Sequence, residues 1–85
     1  MKQRSEKLGT KNIVGSKIAA IRLERGIKQK DFLARLQVLG LDISETSLSR
    51  IEGQHRLVKD FELMILAKAL CLTTDELLNV YSGLL

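Results

Sequence analysis

The sequence predicts an all-α fold built from five short helices. Three observations carry that expectation. Apolar residues recur at three- and four-residue steps through successive stretches, the spacing of one helix face. Proline is absent, aromatic residues make up 4% of the chain, and Leu, Ile, Ala, Lys, Arg and Glu dominate, a mixture that favours helix over sheet. Glycines and small hydroxyl residues fall between the periodic stretches, where helices end and begin. Eighty-five residues are expected to form one domain with a modest core and no separate catalytic or sensing unit.

Residues 1–12 are polar, basic and aperiodic, and read as a flexible N-terminal arm. From Val14 the pattern turns helical, with Val14, Ile18, Ile21 and Arg25 on one face. The first helix is expected over about 16–25, with Ser16 as N-cap and Gly26 as the stop. The second runs from Lys28 to about Leu39 through Phe32, Leu33, Leu36 and Leu39, and Gly40 ends it. Leu41-Asp42-Ile43 forms a short link whose apolar residues should pack down. Ser44 opens the third helix, because its hydroxyl can accept a bond from a first-turn amide, and Gly53 stops it. The fourth helix spans about Asp60 to Leu70, with Leu63, Leu66, Ala67 and Leu70 on one stripe. Thr73-Thr74-Asp75-Glu76 has the form of a capping box and starts a fifth helix, 74–81. The domain is thus expected over 13–81, with 82–85 as a C-terminal tail.

The composition excludes several classes. One cysteine, Cys71, and one histidine, His55, exclude an internal disulfide framework and a Cys/His zinc site. No cofactor or metal site is expected. No apolar run approaches the roughly 20 residues of a membrane span, and no signal peptide is visible, so a cytoplasmic location is expected. With no second histidine, paired nucleophile or suitably spaced acids, enzymatic chemistry has little support. The net charge is +4 and unevenly spread. Residues 1–30 carry nine Lys and Arg against two Glu, a net +7, while the remainder carries five against eight, a net −3. A basic third points to an anionic partner on one side, although a solvated basic tail would give the same count.

The third helix is the informative one. At about 100° per residue, Leu48 and Ile51 define its buried direction, and Thr46, Ser49 and Arg50 point away. The outward face is small, polar and cationic. An ordinary solvent-exposed face has this composition too. It also suits base edges: hydroxyls meet several acceptors, the Thr46 methyl can meet a thymine methyl, and Arg50 can bond guanine with both arms of its fork.

The order of motifs then becomes specific. Ile18-x-x-x-Arg22, Gly26-Ile27-Lys28-Gln29-Lys30-Asp31-Phe32-Leu33 and Ile43-Ser44-Glu45-Thr46-Ser47-Leu48-Ser49-Arg50-Ile51-Glu52 follow one another in register. Arg56 through Asp60-Phe61-Glu62-Leu63, Ala67-Lys68-Ala69-Leu70 and Thr73-Thr74-Asp75-Glu76-Leu77-Leu78 continue the pattern. Together they resemble the lambda-repressor-like helix–turn–helix family of DNA-binding proteins, the xenobiotic-response-element type, over about residues 13–79.

The resemblance implies a compact five-helix domain whose second and third helices form the helix–turn–helix, with helix 44–52 in the major groove. It implies base contacts from Glu45, Thr46, Ser49 and Arg50. It implies phosphate contacts from Lys28, Gln29 and Lys30 around the start of the second helix, from Ser44, and from Gln54, His55 and Arg56 after the third. Arg22 and Glu52 match an ion pair that is structural. A regulator of this kind, here expected to be a transcriptional repressor, binds double-stranded DNA as a homodimer. The apolar segment 77–85 is either the candidate surface for a second copy or a protein partner, or in part folds back on the core. The main alternative is a module that uses the same fold to hold a protein partner.

Four residues or segments depart from the family pattern. The link 37–43 is longer than the minimal turn, and Leu33 stands where small Ala is usual. Glu45 is an acid at a base-facing position. Cys71 stands where Gly is common, and reads as a small buried or half-buried side chain rather than a redox sensor.

Overall fold

Five helices without a strand make up residues 8–78, the part of the chain that the computed structural model describes. They are α1 (Gly15–Glu24), α2 (Gln29–Val38), α3 (Glu45–Glu52), α4 (Asp60–Ala69) and α5 (Thr74–Leu78). α1 packs on α3, α2 on both α3 and α4, and α4 on α5. Ile18, Phe32, Leu36, Leu48, Ile51, Leu66, Leu70 and Leu77 are fully buried where these helices meet. No helix among the described residues is long and apolar enough to cross a membrane. Expectations for residues 1–7, the end of helix 5 at 79–81 and the tail 82–85 lie outside the described residues.

The start of α1 differs from the sequence expectation. The helix begins at Gly15, and the N-cap residue is Val14, which has no capping side chain, so Ser16 is not the cap. Asn12 secures this end instead. Its Oδ1 accepts a 2.7 Å bond from the Gly15 amide, while its Nδ2 donates to the carbonyls of Ile51 and Arg56 at 3.1 and 2.8 Å. Residues 8–12 are accordingly not a free arm. The amides of Gly9 and Lys11 donate to the carbonyls of Gly53 and Gln54, each at 2.9 Å, which lays this strip along the end of α3. Backbone groups of that loop would otherwise lack partners, which is the physical reason for the docking.

Close approach explains Gly15. A Cβ there would come within 1.8 Å of the Ile51 carbonyl oxygen, so only glycine lets α1 lie against the end of α3.

α2 ends as expected: Leu39 is its C-cap and Gly40 takes φ +99, a left-handed conformation suited to glycine. The longer link then packs down. Leu41 is buried and its amide donates to the Leu36 carbonyl at 2.8 Å, and Ile43 rests against the core. Leu33 is partly buried against the same core. α3 ends where expected, at Glu52 with Gly53 as its C-cap, but Gly53 has φ −86 and the left-handed conformation falls on Gln54, at φ +63.

The capping box at α5 is present in both directions. The Glu76 amide donates to Thr73 Oγ1 at 3.0 Å, and the Thr73 amide donates to Glu76 Oε1 at 2.9 Å. Cys71 is exposed rather than buried or half-buried, and it takes φ +58 after α4, the conformation in which glycine is otherwise common. Leu77 is fully buried in the chain's own core, so it is not part of a surface offered to a second copy.

Candidate nucleic-acid interface

α3 is fixed from beneath and open above. Ser44 caps it: the Ser47 amide donates to Ser44 Oγ at 3.1 Å. Leu48 and Ile51 are fully buried, which sets the rotation of the helix about its axis. That rotation leaves Glu45, Thr46, Ser49 and Arg50 exposed, as the helical spacing predicts. Thr46, Ser49, Arg50 and His55 line a shallow depression of about 330 Å³ on the outer side. Among these four, no long apolar side chain obstructs approach.

The base of α3 is held by charge. Arg22 on α1 and Glu52 at the end of α3 form a two-armed ion pair, Nε to Oε2 at 2.8 Å and Nη2 to Oε1 at 3.0 Å. Arg22 also donates through Nη1 to the Ile27 carbonyl at 2.8 Å. Both residues are buried, 8% and 3% exposed, and burial on this scale is tolerable because each charge is matched and hydrogen-bonded.

Gln29 extends this network to the surface. Its Nε2 donates to Glu52 Oε1 at 3.2 Å, and its Oε1 accepts from the Ser49 hydroxyl at 3.3 Å. The first residue of α2 is thereby tied both to the buried ion pair and to the outward side of α3. No side chain caps α2, and exposed Lys28 and Lys30 flank Gln29. The amide end of a helix and two ammonium groups thus share one side, an arrangement that attracts anions. Asp31, also in the first turn, partly offsets them.

The loop after α3 divides into two parts. His55 is exposed and belongs to the depression. Gln54 is buried at 7%, and its Nε2 donates to the Asn12 carbonyl at 2.8 Å, so its side chain faces inward. Arg56 turns to Glu62 with both arms, Nη1 to Oε1 and Nη2 to Oε2, each at 3.0 Å. The expectation that Gln54 and Arg56 present free donors to phosphate is therefore not met: both serve the joint between the chain's N-terminal strip, the loop and α4.

Glu62 is buried at the start of α4, where it also accepts from the Lys59 amide at 2.9 Å. The Arg56 hydrogen bonds hold its carboxyl below the ordinary glutamate range, outweighing burial, which pushes the other way; the Lys59 amide helps. The same pairing raises Arg56 further above its already high value.

The sequence does not reveal the contacts that four of these residues make: Asn12, Gln29, Gln54 and Arg56. Asn12 carries a readable signal, an amide side chain three residues before a helix start, but it stands in the polar, aperiodic stretch that reads as an arm. The ties of Gln29 to Ser49 and of Arg56 to Glu62 join residues whose separations follow no helical period, so no local pattern announces them.

No protein-family model, curated protein or solved structure compared with this chain gave a match.

Proposed function

We propose that this protein is a lambda-repressor-like helix–turn–helix regulator that binds specific double-stranded DNA through α3. The carrying observation is the exposed side of α3: Thr46, Ser49 and Arg50, with His55 beside them, around an open depression on a helix clamped from below. A short helix with small polar residues and one arginine outward suits the major groove, where those groups meet base edges. The start of α2, with Lys28, Gln29 and Lys30, and the cap Ser44 would take the flanking phosphates. Of the loop residues, His55 alone keeps a side chain free for that backbone.

The role that follows is transcriptional repression in the cytoplasm by occupation of an operator, without cofactor or catalysis. A homodimer would read half-sites roughly 34–36 Å apart, one turn of the duplex. One module of this size buries too little surface to discriminate against a genome, which is the reason for two copies.

Selection of bound sequences from a random duplex pool tests this directly. Enrichment of a short motif is expected, with affinity falling steeply as salt rises because neutralised phosphates release counterions. A second reading, a protein-docking module, draws on the apolar groove of about 590 Å³ lined by Ala34, Val38, Leu39 and Cys71, with Arg35 and Lys68 also in its lining. Absence of any enriched sequence and of duplex binding at low salt would leave that reading in place of the first.

A further inference from the structure

The outer face of α4 carries a pattern that the DNA reading leaves unused. Four of its residues are exposed: Asp60, Phe61, Met64 and Lys68. At about 100° per residue these four fall within one arc of roughly 100°, while buried Glu62, Leu66 and Ala69 fill the opposite side and buried Ala67 borders the arc beside Asp60. Phe61 and Met64, 50% and 64% exposed, are large apolar side chains facing outward. Lys59 Nζ lies 5.8 Å from the Phe61 ring centre, so that cation is already engaged with the ring.

The charges on this arc are placed symmetrically about Met64. Asp60 stands four residues before it and Lys68 four residues after, roughly 6 Å along the axis in each direction. Turning such a face through a two-fold rotation at Met64 superposes acid on base. A two-fold contact requires that kind of self-complementarity, since residue i meets j and j meets i. We propose that α4 is the contact between two copies of this chain, packed antiparallel with Met64 on the axis. Asp60 of each copy then faces Lys68 of the other, and the Phe61 and Met64 side chains close the centre. This builds on the dimeric reading above and moves the contact from the 77–85 segment to α4.

Two experiments on the full chain decide it, both read by mass in the absence of DNA, with duplex binding scored separately. The first places a cysteine on the axis, Met64→Cys in a Cys71→Ser background, and adds oxidised glutathione. Two thiols become one disulfide as glutathione disulfide is reduced to two thiols. Position 64 is expected to give a cross-linked dimer, whereas Val38→Cys in the same background, on the groove of α2, is not. Cross-linking at Val38 and none at 64 would overturn the proposal.

The second uses charge. Asp60→Lys alone and Lys68→Glu alone each face like charges across the axis, and their self-association should weaken about tenfold or more. Mixed together, the two variants restore both opposite pairs and should form a mixed dimer at the wild-type level. Circular dichroism of each variant checks that it is folded. Folded single variants that associate like wild type, or a mixture no stronger than its components, would refute the α4 contact. Duplex binding by a protein that stays monomeric would refute it too, leaving the DNA reading intact.

Discussion

Arg50 and Gln29 divide the proposed DNA contact into two kinds of work. Arg50 is exposed at the depression, and a two-armed contact to guanine discriminates by about 1–3 kcal/mol. Arg50→Ala should therefore reduce the preference for a selected site over random DNA by that amount, measured by competition. Gln29→Ala should weaken binding to both nearly equally, because its surroundings suit phosphate rather than bases. Equal losses from both changes would remove Arg50 from the specificity role. Glu62 gives a prediction in pH. Its carboxyl is held below the ordinary range in the folded chain, so the stability it contributes is present at neutral pH. That contribution is lost as pH falls through the folded value, because the unfolded chain takes up the proton first. Urea melts of wild type should show a fall in stability below about pH 4 that is shallower in Glu62→Gln. Parallel curves would mean that the Arg56–Glu62 pair is not what acid disrupts.

Among the elements, α3 depends most on partners outside itself. It has eight residues, too few to be stable alone, so its helicity rests on burial of Leu48 and Ile51 and on the ion pair at its end. Arg22→Ala strands Glu52 with only the Gln29 amide, and should cost about 3–5 kcal/mol in chemical denaturation. Leu48→Ala should cost about 2–5 kcal/mol through lost burial and a cavity. If Arg22→Ala costs less than about 1 kcal/mol, water must reach Glu52 and the pair is not buried in solution. The helices were legible in the sequence because each carries its own period and its own punctuation: Ser44 before α3, Thr73 and Glu76 around the start of α5, Gly40 after α2. The start of α1 was not. There the capping group, Asn12, lies outside the helix and answers to carbonyls more than 35 residues away in the chain.

For the whole molecule, three ties converge where α3 ends. Asn12 binds the Ile51 and Arg56 carbonyls, Gln54 binds the Asn12 carbonyl, and Arg56 binds Glu62. The N-terminal strip, the loop and α4 thereby form one joint, and Asn12→Ala should lower the melting temperature by several degrees, the shift expected of about 1–2 kcal/mol in a small domain. The surface of the candidate site could be read from the sequence because helical rotation alone decides which residues of α3 face outward. Which loop donors remain free could not, because Gln54 and Arg56 are committed by contacts across the fold. The clamp under α3 separates address from architecture. Its buried side and its two ends carry the fold, whereas Thr46, Ser49 and Arg50 support nothing apart from the exposed Ser49–Gln29 bond. A variant with all three replaced by alanine should melt close to wild type, since exposed substitutions usually shift stability by no more than about 0.5 kcal/mol each. Such a surface can be rewritten for a new target one residue at a time, and the chain would stay folded at every step.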